Sequence, residues 1–232
     1  MAKVRRAFLL LGFGLLIGIW GCGAKAATTA ATDEYTSLIP PGTGLFGSHE
    51  FRSSLKALPQ WSRVMASAEA QVEAMARCNP ERDSCSAAAL SWQKIIREAR
   101  GQGTVDQLKT VNSFFNRWPY RLDIDVYGVN EYWATPQEFL RLSGDCEDYS
   151  ITKYYALKKL GVPVDSMRIV MLTDTIRGIA HAVLAVKIGA GYYILDNLSD
   201  LVLTDDKYEH YKPQYSVNEH FRWAHVSPGL MR

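Results

Sequence analysis

The chain has 232 residues, with 26 Lys and Arg against 24 Asp and Glu, a formal net charge of +2. Lys3, Arg5, Arg6 and Lys25 lie in the first 26 positions, which hold no acid, so the rest carries 22 basic and 24 acidic residues. That balance excludes the basic footprint of a nucleic-acid binder. The remaining length, about 200 residues, is enough for one domain with a full core.

Residues 1–26 read as an export signal: a charged start, an apolar run from Ala7 to Trp20 too short to span a bilayer comfortably, and a small-x-small cleavage site at Ala24-Lys25-Ala26. A second reading is a lipoprotein cut before Cys22 and acylated there, although bulky Trp20 fits that box poorly. Residues 27–50, rich in Ala and Thr and then in Pro and Gly, predict an extended arm. The folded domain is expected over 51–232.

Within it, Leu55, Leu58, Trp61, Val64, Met65, Ala68, Val72 and Met75 recur at helical spacing and predict a helix over 54–77, with an interruption near Pro59. A second helix is expected from Ala87 to Arg100. Thr104-Val105-Asp106-Gln107 reads as a capping box opening a third, whose apolar face runs to Trp118. Residues 120–134 look irregular. Thr135-Pro136-Gln137-Glu138 then starts a short helix, with Thr135 as N-cap and Pro136 in the first turn.

The next helix starts in Gly144-Asp145-Cys146-Glu147-Asp148-Tyr149 and stops at Gly161. Asp145 suits the N-cap, and Glu147 and Asp148 suit the positive end of the dipole. Cys146 therefore lies in a first turn, where unpaired N–H groups lower a thiol pKa and can hold an oxyanion. Three carboxylates beside that thiol oppose this, and either a bound cation or a histidine partner for the thiol would resolve the conflict. Oxygen ligands in irregular geometry favour calcium, with Asp145, Glu147 and Asp148 as ligands.

Cys78 and Cys85 bracket a polar loop and read, in an exported protein, as a disulfide. Cys146 is left as the candidate nucleophile. After Gly161 the pattern becomes strand-like over Met167–Leu172, Ala180–Ile188 and Tyr192–Leu195, with Gly189-Ala190-Gly191 as a tight hairpin. A helical first half followed by antiparallel strands predicts an α+β fold. In that hairpin His181 opens one strand and Asp196 closes the next, so both come to one end of the sheet. Thiol, imidazole and carboxylate in these places compose a Cys146-His181-Asp196 triad.

These features resemble the papain/transglutaminase-like arrangement, and more closely the bacterial transglutaminase-like cysteine peptidases of the LapG type. The resemblance rests on Val111-Asn112-Ser113-Phe114-Phe115-Asn116, Tyr132-Trp133-Ala134-Thr135-Pro136, Gly144-Asp145-Cys146-Glu147-Asp148-Tyr149, Lys153-Tyr154-Tyr155, Ala180-His181-Ala182-Val183 and Leu195-Asp196-Asn197. It implies a periplasmic, calcium-dependent protease with Cys146, His181 and Asp196 as its triad and Asp145, Glu147 and Asp148 as its calcium carboxylates. It further implies a large cell-surface adhesin as substrate, cut in its N-terminal region at a small-residue site such as a pair of alanines. The implied inhibitory partner is an inner-membrane receptor for cyclic di-GMP. A protein-crosslinking acyl transferase would use the same triad with an amine in place of water. A non-catalytic binding module would have no need of it.

Overall fold

Six strands from residues 167–226 and one from residues 49–53 build a seven-stranded antiparallel sheet, and helices from the segment between them pack on it. The computed structural model describes residues 44–228, so the expected signal, its cleavage site and Cys22 lie outside the described residues. The strands are β1 (His49–Ser53), β2 (Met167–Asp174), β3 (Ile179–Ile188), β4 (Gly191–Asp196), β5 (Ser199–Thr204), β6 (Tyr211–Val217) and β7 (Arg222–Val226), in the spatial order β1-β7-β6-β2-β3-β4-β5. The helices are α1 (Pro59–Arg77), α2 (Ala87–Ala99), α3 (Thr104–Phe115), α4 (Asp123–Val126), α5 (Pro136–Leu142) and α6 (Cys146–Lys159). This is the α+β class expected. Among the described residues no helix is long and apolar enough to cross a membrane.

Local sequence explains most element ends. Pro59 cannot donate into a preceding turn, so the region expected as one helix divides into a 3-10 turn, Leu55–Ala57, and α1 with Pro59 in its first turn. Thr135 and Glu138 form the reciprocal cap of α5. The cap expected at Thr104 is corrected: Gly103 is the N-cap and Thr104 is the first residue of α3, which ends at Phe115 rather than Trp118. The β3–β4 junction is a tight turn, Ile188 opposing Gly191, with Gly189 at φ 62.

Four strands escaped the pattern. In β6, Pro213 interrupts the alternation, and a bulge shifts its register against β2 between Met171 and Leu172. β1 enters the sheet from the far end of the chain: Glu50 reaches Arg168 of β2 at 2.7 Å, and the guanidinium lies 4.0 Å from the Trp223 ring centroid on β7. Of the stretch expected as an arm, residues 44–50 are described; they form a 3-10 turn and the start of β1, with Leu45 and Glu50 buried.

Trp61, Trp92, Phe115, Trp133, Phe139 and Tyr154 fill the main core with fully buried rings. α6 has almost no outer face. Every residue from Cys146 to Leu157 is buried, since β2 and β3 pack on one side and α1, α2, α3 and α5 provide the rest of its surroundings. A helix enclosed in this way holds its first turn rigidly.

Cys78 and Cys85 are joined as expected, with Cα atoms 5.9 Å apart. Replacing both with Ala should cost about 2–3 kcal/mol, from the loop entropy regained by the unfolded chain. Denaturant melts would measure it, and activity of the folded fraction should be unchanged because the bridge joins α1 to α2.

Candidate active site

The turn before α6 is clamped from two sides. Ser143 sits at φ 67, a conformation unfavourable to a residue with a side chain. Tyr120 forms a parallel bridge with Gly144, and the Arg121 N–H donates to the Gly144 carbonyl at 2.9 Å. Asp148 reaches back: its carboxylate accepts the Ala134 N–H at 2.6 Å and the Asp145 N–H at 3.3 Å. A Cβ at position 144 would stand 1.9 Å from Asp148 Oδ2, so only glycine fits beside that carboxylate.

Cys146, the free cysteine of the described residues, is the first residue of α6 and is buried. Its thiol donates to Glu147 Oε2 at 3.3 Å and receives a hydrogen bond from the Ala182 N–H on β3. His181 precedes Ala182. Its Nε2 lies 2.9 Å from Asp196 Oδ1, and both side chains are buried. The hairpin register accounts for this pair: Leu184 opposes Leu195, which sets Asp196 diagonal to His181. Asp196 also accepts from the Tyr211 hydroxyl at 2.6 Å and the Leu198 N–H at 2.9 Å. Burial would raise the Asp196 pKa, but the hydrogen bond and charge of His181, with these other donors, hold it below the ordinary value. The structure thus joins His181 to Asp196 directly and brings Cys146 to the neighbouring residue, with the thiol proton directed at Glu147.

The expected carboxylate conflict is present and larger than three residues. Asp123, on α4, comes within 4.8 Å of Asp145 and Asp148, ligand atom to ligand atom, and Asp145, Cys146 and Glu147 form an adjoining group. Burial and the Glu147 charge raise the Asp145 pKa to about 9. Burial raises Asp123, Glu147 and Asp148 as well, with neighbouring carboxylates adding to it. The Cys146 thiol is pushed well up by burial, then by Glu147 and Asp145. Among the described residues, Asp123 Oδ1 and Asp145 Oδ1 are buried without a hydrogen-bond partner. Orphaned carboxylate oxygens in an acidic cluster fit a hard cation. Asp148 already uses both oxygens on backbone N–H groups, so it shapes the turn as well as adding charge.

Sequence reading missed Asp123 because it lies in the stretch taken as irregular. In the fold the Tyr132 N–H donates to the other oxygen of Asp123, a contact with no signature in the sequence. Tyr211 was missed because β6 was not recognised.

A carboxyl whose pKa is raised in the fold stays protonated there and ionises when unfolded. Its stabilising contribution is present below the ordinary value of 3.8 and is lost as pH climbs toward about 9. In chelator, the melting temperature should therefore fall between about pH 5 and pH 8, and Asp145→Asn should flatten the fall. An equal slope in that variant would show the carboxyl to be ionised in the fold. Gly144→Ala should destabilise by about 2–4 kcal/mol in denaturant titrations, because Asp148 must withdraw from the two N–H groups it accepts.

The comparisons agree with this geometry. The family model for bacterial transglutaminase-like cysteine proteinases matches residues 64–229. Among solved structures, Legionella pneumophila LapG is 30% identical, covering 68% of this chain and 87% of that one, with a TM-score of 0.55. Its calcium-bound form is also 30% identical, over 67% of this chain and 86% of that one, at a TM-score of 0.57. Its EGTA-treated form is 29% identical over 69% and 87%, at 0.56. A comparison with curated proteins gave no match. With most of its described length matched by the family model, the chain belongs to the bacterial transglutaminase-like cysteine proteinases.

Proposed function

We propose that this proteinase cuts peptide bonds through Cys146, His181 and Asp196 and depends on calcium held by Asp145 and Glu147 with Asp123 and Asp148. The observation that carries the reading is the buried His181–Asp196 hydrogen bond, one residue from the amide that contacts the Cys146 thiol. Asp196 engages Nε2, which leaves Nδ1 of the same ring to take the thiol proton. The sulfur attacks the scissile carbonyl, and the N–H groups of the α6 first turn receive the developing oxyanion. His181 then gives its proton to the leaving amine, producing a thioester. Water attacks the thioester, His181 accepts a proton from that water and returns it to sulfur, and the acid product leaves. Bound calcium would offset the carboxylate field that now holds the thiol protonated and would fix the turn carrying it.

By the family resemblance we further propose export to the periplasm and, as substrate, the N-terminal region of a large surface adhesin cut at a small-residue site. The same resemblance supports an inner-membrane cyclic di-GMP receptor as the inhibitory partner. The Cys146-His181-Asp196 constellation favours catalysis over a passive binding role. Calcium-bound LapG supports the choice of cation.

Purified protein incubated with an adhesin fragment containing an Ala-Ala site should yield two shorter products on a gel, and Cys146→Ala should yield none. Excess chelator should stop cleavage. Above the dissociation constant, stability should rise by about 1.4 kcal/mol for each tenfold increase in free calcium. Full cleavage in chelator with no calcium-dependent melting shift would overturn the calcium reading. Products larger than the fragment would replace hydrolysis with crosslinking.

A further inference from the structure

Lys153 lies two turns along α6 from Cys146 and is fully buried. Its Nζ donates to Asn112 Oδ1 at 2.8 Å and Asn116 Oδ1 at 2.7 Å, both contributed by the end of α3. An ammonium has three donors and no acceptor, so it turns both amide oxygens toward itself and both amide NH2 groups away. Those groups point at the β4–β5 turn. Asn116 Nδ2 lies 3.0 Å from the Asp196 carbonyl, 3.1 Å from the Ser199 carbonyl and 2.9 Å from Asp200 Oδ1. Asn112 Nδ2 lies 2.8 Å from the Ser199 carbonyl. The backbone of the triad carboxylate is thereby tied to the helix that carries the nucleophile.

Burying a charge is unfavourable unless it is well hydrogen-bonded, and an apolar residue would avoid the cost. Burial does push the Lys153 pKa down, to about 7, against the pull of Asp196 and Asp200. The side chain nonetheless stays inside, bridging two amides that would otherwise be free to reorient. We propose that Lys153, acting through Asn112 and Asn116, is a positioning residue that sets Asp196 against His181. Asn116 contributes most, since it alone of the two amides holds the Asp196 carbonyl. The inference rests on the Cys146-His181-Asp196 reading.

The test uses the full chain with calcium, iodoacetamide as probe, and mass spectrometry of the Cys146 peptide to read alkylation. Lys153→Met should slow alkylation roughly tenfold, the scale expected when a catalytic group is displaced by a fraction of an ångström. Asp196→Ala should slow it at least as much. The double variant should be no slower than Asp196→Ala alone, because both changes act on one contact. A merely structural role predicts a lower melting temperature with wild-type alkylation, or effects that multiply in the double variant; either result overturns the inference. If Asp196→Ala reacts at the wild-type rate, the triad reading falls and this inference with it. If Asp196→Ala is slow and Lys153→Met is not, only the positioning role falls. Should Lys153→Met fail to fold, Asn116→Ala replaces it with the same expectations.

Discussion

The structure turns on a contest of charge at the start of α6. The Cys146 thiol stands among carboxyl groups whose ligand atoms approach within 4.8 Å. At an effective dielectric of about 20, each ionised pair at such a distance repels by about 3–4 kcal/mol. Burial and mutual repulsion shift the Asp145, Cys146 and Asp148 groups in one direction, toward their protonated forms. A bound divalent cation would reverse that direction, since it would make ionised carboxylates favourable and remove their penalty on a thiolate. In the proposed reading, metal binding, the protonation of the cluster and the reactivity of sulfur form one equilibrium.

That equilibrium is useful only if the first turn of α6 is fixed. Gly144 allows Asp148 to fold back against the turn, and Asp148 in turn holds the Ala134 and Asp145 amides. Ala134 belongs to a loop that is anchored in its own right: Arg63 stacks over Tyr132 at 4.2 Å and pairs with Glu138 of α5. The loop that delivers Asp123 is tied to the same turn through Tyr120 and Arg121. Each contact is modest alone, but together they remove the alternatives open to the turn.

The imidazole and carboxylate come from a different kind of scaffold. β3 and β4 are interior strands of the sheet, with His181 opposite Leu172 of β2 and Asp196 opposite Ser199 of β5. Tyr211 on β6 closes the group by donating to the second oxygen of Asp196. Helix and sheet meet where the Ala182 amide contacts the Cys146 thiol, and the buried Lys153 network joins them a second time beneath Asp196. Rigid elements joined at two points can hold reacting groups more closely than loops can.

What the sequence alone determined is what short-range rules govern. The α6 start, the α5 cap, the Cys78–Cys85 bridge and the His181–Asp196 meeting at one hairpin end all follow from spacings of a few residues, or from a turn whose geometry sets a register. The three acids around Cys146 were visible because they are contiguous. What only the tertiary structure decided spans long separations. Asp123 joins Asp145 from 22 positions away, Tyr211 reaches Asp196 from a strand broken by Pro213, and Lys153 finds Asn112 and Asn116 across two helices. β1 likewise reaches its edge position by pairing with β7 at the other end of the chain. No local propensity encodes such meetings. They arise because burying the aromatic core and α6 on the sheet brings together segments distant in sequence.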